Sequence, residues 1–508
     1  MNTHPCTDVL TAAYLDGRLT RRQLIVGALK LGLSVSGAAT LLAACGSGNS
    51  NANGGSSRTK AASSRLSGTV QVLVGFGGGN KPNQVMVQQA LAQAFMREHS
   101  DVTISFLRVT GGSSNAATKL TTLVAGGAAP DIAIPVGVYG ISLFVDQGVW
   151  LDLAPFLSRD GISLDKYLPA ALTAVHVPNY FGQNSSVVIG MPTGVNDHAL
   201  AYNEELFSKA GVQPPPSSWS DASWTLEPGG KMLESAIALT HDAKGRNPGQ
   251  PGFDPNNIVQ FGLANFFREA VYYDFGGHIY DPSTHKAQFD APDSIAGLQF
   301  ASDLVNKYHV EPTMNELAVL GAGDSDQSEG AWRSGKVAMI DMCTCNIKTP
   351  YGTDVPFAWK AAAMPAGPKR RFCFLNLDLG AIVKASKNHD LAWEVLKYLT
   401  IDPVPAGKLA YQSDGAIPPL KADSAQFSSG IKHDLPSVKP SVWIDGLPYA
   451  SEENEQWIPA FAEVNDLEGK AFDQVIAGAP AAQILPILQS QAQAQIDQWF
   501  KAHRLPTT

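Results

Sequence analysis

The chain has 508 residues, of which 44% are hydrophobic and 16% are charged, so it is long enough for two or more domains with separate cores. Its formal net charge is -9 and it has no run of five or more Lys and Arg residues, which argues against nucleic acid or another polyanion as a partner. Five cysteines in this length exclude a disulfide-dense scaffold.

The first 44 residues have the order of an export signal. Arg21 and Arg22 stand before an almost uncharged stretch over 26–44, which is the pattern of a twin-arginine signal peptide. The tetrapeptide Leu-Ala-Ala-Cys that ends at Cys45 resembles a bacterial lipobox, in which the cysteine becomes the acylated N-terminus. We therefore predict a signal peptide over 1–44 and a lipidated Cys45 that anchors the exported protein to the outer face of the cytoplasmic membrane. A transmembrane anchor over the same apolar stretch is the alternative interpretation.

Strand and helix patterns alternate after a tether. Residues 45–67 are almost entirely Gly, Ser, Asn and Ala, which is typical of a flexible segment, so the folded part is predicted to begin near Leu66. Apolar residues over 69–74 predict a buried strand, and the segment from Gly75 to Gly79 predicts a loop. The next elements are predicted as a helix over 85–99, a strand over 102–107, a helix over 116–125 and a short strand over 131–134.

This order is typical of an α/β domain with a parallel sheet, in which the loops at the carboxyl ends of the strands can receive a ligand. The glycine loop over 75–79 lacks the spacing of a dinucleotide-binding fingerprint. It therefore predicts a close backbone approach to a ligand or to another part of the protein.

The alternation continues to the end of the chain. Further strands are predicted over 200–203, 337–340 and 377–383, and further helices over 231–240, 294–308, 388–400, 460–477 and 483–501. Repeats of about 20 to 50 residues are not visible, which disfavours solenoids and propellers. Trp150, Trp219 and Trp393 fall at core-like positions and are predicted to pack in the interior.

Six segments stand in the order of the motifs of one protein family. They are Leu-Thr-Thr-Leu-Val-Ala-Gly-Gly-Ala-Ala-Pro-Asp-Ile over 120–132, the segment 148–156, the segment from Met191 to Trp219, Gly276-Gly277, Gly-Lys-Val-Ala-Met over 335–339, and Ala-Ser-Lys-Asn over 385–388 with Ala392-Trp393. Together they resemble the family 1 extracellular solute-binding proteins, the lipoproteins that deliver sugars to ATP-driven importers. The resemblance covers most of residues 66–480.

The resemblance implies a two-lobed α/β fold of the periplasmic-binding-protein type, with a hinge and a ligand cleft between the lobes. Lobe 1 would comprise residues 66–178 with 374–425, and lobe 2 residues 179–373 with 426–508. A monomer of this kind would capture a small carbohydrate and deliver it to the transmembrane subunits of an ABC permease, with no cofactor, metal or catalytic residue. Two alternatives stay open: a secreted, membrane-anchored carbohydrate-active enzyme, and a binding protein for a polar non-sugar solute such as a glycerophosphodiester.

A sugar needs Asp, Asn and Lys side chains for its hydroxyl groups and flat aromatic surfaces for its ring faces. Such residues gather in the loops where the family places its cleft. The candidate ligand-binding residues are Asn80, Lys81, Tyr139, Asn196, Asp197, Asn265, Phe267, Tyr272, Asp341, Asn346, Asn376, Asp378, Tyr449 and Trp457. Many relatives carry an aromatic residue directly after the Gly-Lys-Val-Ala-Met strand, but this chain has none over 341–346. A missing stacking platform there leaves room for a monosaccharide or a more polar solute.

Three cysteines remain after the signal peptide and the acylated cysteine are set aside. Outside a reducing cytosol we expect one bridge, between Cys373 and either Cys343 or Cys345, with one thiol left unpaired. The sequence contains neither His-Glu-x-x-His nor Gly-x-Ser-x-Gly, so it predicts neither a zinc-protease site nor a hydrolase elbow.

Overall fold

The computed structural model of the protein describes residues 66–145, 147–177, 186–264, 268–322, 327–451 and 457–503, without the side chains of residues 138, 139 and 451. The predicted signal peptide, Cys45 and nearly all of the predicted tether therefore lie outside the described residues.

Segments rich in valine and isoleucine form the first and third strands of the chain. In β1 (Gly68–Val74) the side chains of Val70, Val72 and Val74 are fully buried, because both faces of the sheet are covered. The other strands are β2 (Val102–Arg108), β3 (Ile132–Val136), β4 (Met191–Asn203), β5 (His241–Asp242), β6 (Ile258–Gln260), β7 (Tyr280–Asp281), β8 (Lys286–Ala287), β9 (Met339–Cys343), β10 (Trp359–Ala362), β11 (Cys373–Ile382) and β12 (Ala450–Ser451). Eight of these described strands form one sheet in the order β10-β4-β11-β3-β1-β2, with β9 paired to β4 and β12 paired to β11.

Helices connect the strands and cover the sheet. In chain order they are α1 (Pro82–Glu98), α2 (Ser113–Ala125), α3 (Val138–Val145), α4 (Ala154–Asp160), α5 (Glu204–Ala210), α6 (Lys231–Leu239), α7 (Arg268–Asp274), α8 (Pro292–Asn306), α9 (Met314–Leu320), α10 (Gln327–Arg333), α11 (Pro350–Thr353), α12 (His389–Thr400), α13 (Pro403–Gly407), α14 (Ser424–Asp434), α15 (Ser441–Gly446), α16 (Phe461–Ile476) and α17 (Ala481–His503). Short 3-10 helices span Leu164–Lys166, Pro169–Leu172, Thr344–Asn346 and Leu447–Tyr449, and a π-helix spans Lys408–Asp414.

Strands β4 and β11 join the two halves of the sheet. Residues 191–197 of β4 pair antiparallel with β11, whereas residues 198–203 pair with β9 and β10. The carboxyl end of β11 in turn pairs with β3, which belongs to the parallel group β1, β2 and β3. Each of the two long strands is therefore shared by both halves of the fold.

The strands and helices predicted from the sequence are confirmed, with shifts at their ends. The largest shift is in β4, which begins at Met191 and not at residue 200. Gly190, Pro192 and Gly194 suggest a turn, but the whole strand is buried and paired, so tertiary contacts override the local preference. Strand β9 begins at Met339 and not at residue 337.

The large aromatic residues predicted to pack do so. The side chains of Trp150, Trp219 and Trp393 are buried, and their indole N–H groups donate hydrogen bonds, for example from Trp393 Nε1 to Asp160 Oδ2 at 2.8 Å. Burying a tryptophan is favourable once its one donor has found an acceptor. These three residues therefore support the core and do not reach the cavity described below.

The predicted pairing of Cys373 is wrong. Cys343 and Cys345 form the disulfide, with their Cα atoms 5.2 Å apart, and Cys373 is the buried free thiol. The 3-10 turn after β9 brings Cys345 back to Cys343. The Cys373 thiol instead points to Asp197 Oδ1 and to the carbonyl oxygen of His198, each at 2.9 Å.

Within the part of the chain that the structure describes, no helix combines the length and the apolar character needed to cross a membrane.

Candidate functional site

An open cavity of about 800 Å³ lies where the loops after β1, β2 and β3 meet the crossing of β4 and β11. The loops contribute residues within 75–81, 109–113 and 135–137. The 3-10 turn after β9 contributes Cys345 and Asn346 from the other half of the fold. A cavity of this volume, set at the carboxyl ends of parallel strands, has the size and position of a small-molecule site.

Glycines shape the loop that follows β1. Gly75 has a φ of 149°, and a Cβ atom there would lie 2.5 Å from the carbonyl oxygen of Val109, at the end of β2. Gly79 has a φ of 94°, which side chains other than glycine rarely adopt. The close backbone approach predicted from the glycines is therefore made to the neighbouring strand, and the loop that results lines the cavity.

The start of α1 holds this loop in place. Gln84 Oε1 accepts hydrogen bonds from the backbone N–H groups of Gly79 and Lys81, both at 2.8 Å. Asn80 Nδ2 donates to the carbonyl oxygen of Val109 at 2.7 Å. Asn80 Oδ1 is shielded from solvent and has no hydrogen-bond partner among the described residues. An unmet acceptor beside a cavity is suited to a donor on a ligand.

Amide side chains of the crossing strands form the floor of the cavity. Asn196 Nδ2 donates to Asp378 Oδ2 at 3.0 Å, and Asn196 Oδ1 accepts from Thr344 Oγ1 at 3.3 Å. Asn376, which stands two residues before Asp378 on β11, is exposed to the cavity. Both ends of the Asn196 amide are thus fixed by protein partners, which keeps the floor rigid before any ligand arrives.

Two carboxyl groups face the cavity, those of Asp378 and Asp414. Burial, and then the charge of Asp414, raise the pKa of Asp378 to about 7 despite its hydrogen bond from Asn196. Burial also raises the pKa of Asp414 to about 6, although Gln84 and Ser413 donate hydrogen bonds to it. Near neutral pH the pair therefore carries between one and two negative charges.

A buried chain of polar groups runs from the floor into the interior. The amide of Asn376 lies 3.0 Å from His198 Nε2, and His198 Nδ1 lies 2.7 Å from Asp341 Oδ1. Burial lowers the pKa of His198, but the charge of Asp341 and its hydrogen bond outweigh that effect and raise the pKa. Asp197, on the same strand as His198, has its pKa raised to about 7 by burial. These buried polar groups fix the end of the Asn376 amide that faces away from the cavity.

The structure brings six of the predicted ligand-binding residues together around the cavity: Asn80, Lys81, Asn196, Asn346, Asn376 and Asp378. Four others are buried away from its lining: Asp197, Tyr272, Asp341 and Trp457. Tyr449 stacks on the ring of Trp219 with centroids 5.3 Å apart, also outside the lining. Asn265, Phe267 and the side chain of Tyr139 lie outside the described residues.

Sequence reasoning missed four polar residues of the cavity, Gln84, Thr110, Ser113 and Asp414. Gln84 stands in the first turn of α1, three residues after Lys81, so the helix period could have placed it beside the loop. Asp414 lies between Ser413 and Gly415, a turn-forming tripeptide far from every family motif. Its position at the cavity depends on tertiary packing of the π-helix against α1, which no local pattern reveals.

Among the described residues, no group of three or more His, Cys, Asp or Glu side chains is arranged to hold a metal ion.

Comparison with known proteins agrees with this geometry. A family model described as bacterial extracellular solute-binding protein matches residues 84–227. A maltotriose-binding protein of Pyrococcus abyssi is 23% identical over 350 residues, which are 67% of this chain and 65% of that protein. The alignment thus spans less than two thirds of that relative.

Two solved structures show the same fold. UspC of Mycobacterium tuberculosis superposes with a TM-score of 0.62 at 24% identity, covering 84% of this chain and 100% of that one. UgpB of Mycobacterium tuberculosis, solved in complex with glycerophosphocholine, gives a TM-score of 0.65 at 16% identity, covering 85% of this chain and 99% of that one. The fold predicted from the sequence, two α/β lobes of the periplasmic-binding-protein type, is confirmed. The motifs, the family model and the fold agree, and over residues 84–227 the chain is similar to the bacterial extracellular solute-binding proteins.

Proposed function

We propose that the protein is the exported solute-binding component of an ABC importer and captures a small carbohydrate, which it delivers unchanged to the permease. The observation that carries this proposal is the 800 Å³ cavity, lined from both halves of the fold by amide and carboxyl side chains. Sugars bind through such groups because each hydroxyl both donates and accepts. The six cavity residues predicted from the sequence are the proposed ligand contacts.

The proposal includes a lipid anchor. The lipobox-like tetrapeptide ending at Cys45 and the polar stretch up to residue 67 support a mature protein tethered to the outer face of the cytoplasmic membrane. Such a tether keeps the loaded protein close to the permease. The proposed lobe division is 66–178 with 374–425 against 179–373 with 426–508, so that β4 falls in lobe 2, nearly all of β11 falls in lobe 1, and the pairing of the two strands connects the lobes.

Two other functions each have one observation in their favour. The likeness to UgpB, whose structure holds glycerophosphocholine, favours a glycerophosphodiester. The carboxyl pair Asp378 and Asp414, with raised pKa values, would suit the acid and base of a glycosidase. Against the first, a phosphodiester would meet two carboxyl groups and one basic side chain, Lys81, among the described lining residues.

A single screen separates these functions. The purified exported protein is heated with mono-, di- and trisaccharides and with glycerophosphocholine, and the fate of each compound is then followed by chromatography. We expect one group of sugars to raise the unfolding free energy by about 2.7 kcal/mol at 100 times its dissociation constant and to be recovered intact. Consumption of a sugar would favour the enzyme, and stabilisation by glycerophosphocholine alone would favour the phosphodiester.

A further inference from the structure

The charges around the cavity are unevenly divided. The carboxyl groups of Asp378 and Asp414 face it, whereas Lys81 is the only basic side chain among the described residues of its lining. Among the described residues neither carboxyl group has an ion-pair partner. Asp378 accepts from the neutral amide of Asn196, and Asp414 accepts from the neutral side chains of Gln84 and Ser413.

Neutral donors satisfy only some of the hydrogen-bond acceptor sites of the two carboxylates. Each ionised carboxylate offers about four lone-pair sites. The hydrogen bonds described above use one site on Asp378 and two on Asp414. The remaining sites and the excess negative charge are left to whatever enters the cavity. A ligand that brings both N–H donors and a positive charge satisfies both requirements at once.

We propose that Asp378 and Asp414 bind the protonated primary amine of an amino sugar. The inference rests on the proposed function, because it names the solute class for the same cavity. The amino group would lie between the two carboxylates, while the hydroxyl groups of the sugar meet the amides of Asn80, Asn346 and Asn376. A neutral sugar would leave the charge of the pair uncompensated.

The lining distinguishes a primary amine from a quaternary one. A quaternary ammonium has no N–H group and is recognised by open aromatic faces. The only aromatic residue among the described lining residues is Phe76, which is 1% exposed and packs edge-on against Phe144. Charge-assisted N–H bonds to carboxylates are the interaction that this cavity offers.

The proposal carries a pH dependence with a definite sign. The charged groups that act on the pair are Asp414, which raises the pKa of Asp378, and Lys81, which lowers the pKa of Asp414. Below pH 6 both carboxyl groups take up a proton, because their pKa values are raised to about 7 and about 6. The preference for an amine is therefore expected to be strong at pH 7 and to weaken by pH 5, where the amine itself is still protonated.

The test compares matched sugars by titration calorimetry on the purified exported protein. The pairs are D-glucosamine against D-glucose, D-galactosamine against D-galactose, and the glucosamine disaccharide against its N-acetylated form. We expect at least one amine to bind about tenfold or more tightly than its neutral partner at pH 7, since one charge-assisted bond is worth about that factor. The preference should be lost in Asp378→Asn and in Asp414→Asn and kept in Asp390→Asn, which alters an exposed carboxylate on α12.

The outcomes separate the inference from the proposed function. If the neutral sugars bind as tightly as the amines at pH 7, the inference is overturned while the proposed function stands. If no amine binds the wild-type protein while the thermal screen finds a neutral sugar that does, only the inference fails; if the screen finds no stabilising sugar at all, both fail. The pH comparison on the wild-type protein gives a result even if a variant does not fold: an amine preference that is unchanged at pH 5 contradicts the role of the carboxyl pair.

Discussion

Asp378 and Asp242 both lose hydration in the folded protein, yet their pKa values shift in opposite directions. Burial raises the pKa of Asp378 to about 7, because a single amide hydrogen bond does not replace lost hydration. Burial acts in the same way on Asp242, but backbone N–H groups of residues 244, 246 and 254 and the guanidinium of Arg246 donate to it and hold its pKa well below the usual value. The number of donors decides the sign of each shift.

The first prediction concerns the stability of Asp378→Asn. The folded-state pKa of Asp378 exceeds its unfolded value of about 3.9, so its contribution to stability is complete below pH 4 and is lost as the pH rises through about 7. Replacing the carboxyl group by an amide removes that loss. We expect the free energy of unfolding of the variant to exceed that of the wild type by on the order of 2 kcal/mol at pH 8. At pH 4 we expect little difference between the two proteins.

Urea unfolding at the two pH values measures this effect. Asp242→Asn is the opposite control, because removing a carboxylate with four donors should lower stability at pH 8. A wild-type protein that is more stable than Asp378→Asn at pH 8 would contradict the desolvated state of Asp378. A gain in stability together with lost amine binding would be the usual trade between function and stability.

Residue types in loops could be predicted from the sequence, but the direction of each side chain could not. Asn196 and Asp197 are neighbours on β4, and side chains alternate across a strand. Asn196 therefore lines the cavity, whereas Asp197 points to the Cys373 thiol in the interior. Without the register of β4 against β11, the sequence predicts Asn196 and Asp197 equally as residues that line the cavity. Tyr272 on α7 shows the same limit for a helix, since its hydroxyl donates inward to the carbonyl oxygen of His278 at 2.7 Å.

At the scale of elements, the glycine loop depends on its backbone conformation. Gly79 combines a φ of 94° with crowding, since a Cβ atom there would collide with Val74 and lie 3.1 Å from Gln88 Nε2. Its N–H group also donates to Gln84, which fixes the loop against α1. The loop and the first turn of the helix therefore behave as one unit of the cavity wall.

The second prediction is that Gly79→Ala weakens both folding and binding. The strained φ and the collision with Val74 should lower the unfolding free energy by about 2 kcal/mol and move Asn80 and Lys81 away from the cavity. Gly161→Ala is the matched control. Gly161 also has a positive φ, of 64°, at the end of α4, but a Cβ atom there meets nothing within 4 Å, so the expected loss is about 1 kcal/mol with binding unchanged. Equal effects of the two substitutions on sugar affinity would show that the loop does not shape the site.

Which elements exist could largely be read from hydrophobic spacing, because β1, α1 and β2 repeat apolar residues at strand and helix periods. How the strands pair with one another could not be read from that spacing. Strand β4 carries a glycine and a proline in its first four residues, and local spacing predicts only four strand residues, yet the strand spans Met191–Asn203. Its length is set by three partner strands that lie about 140 to 190 residues later in the chain. The family motifs supplied this long-range information, and local propensity did not.

At the scale of the whole molecule, β4 and β11 carry the connection between the halves that line the cavity. The pairing of the two strands changes register between Asp378 and Leu379, which is the mark of a bulge. A bulge bends a strand and weakens the ladder locally. The bend therefore falls at a residue that we propose as a ligand contact, so that occupancy of the cavity and the angle between the halves are coupled at one place.

The last prediction is that a bound sugar closes the two lobes about this crossing. Ligand binding can shift a population only if the closed form makes contacts that the open form lacks. Here Asn346 follows β9 while Asn80 and Lys81 follow β1, so a ligand that touches both sides gains contacts as the lobes approach. Small-angle X-ray scattering of the protein with the sugar that gives the largest thermal shift should show a smaller radius of gyration than the protein alone. A sugar that gives no thermal shift, at the same concentration, is the control. An unchanged scattering curve at a sugar concentration that calorimetry shows to be saturating would mean that the cavity binds without closure.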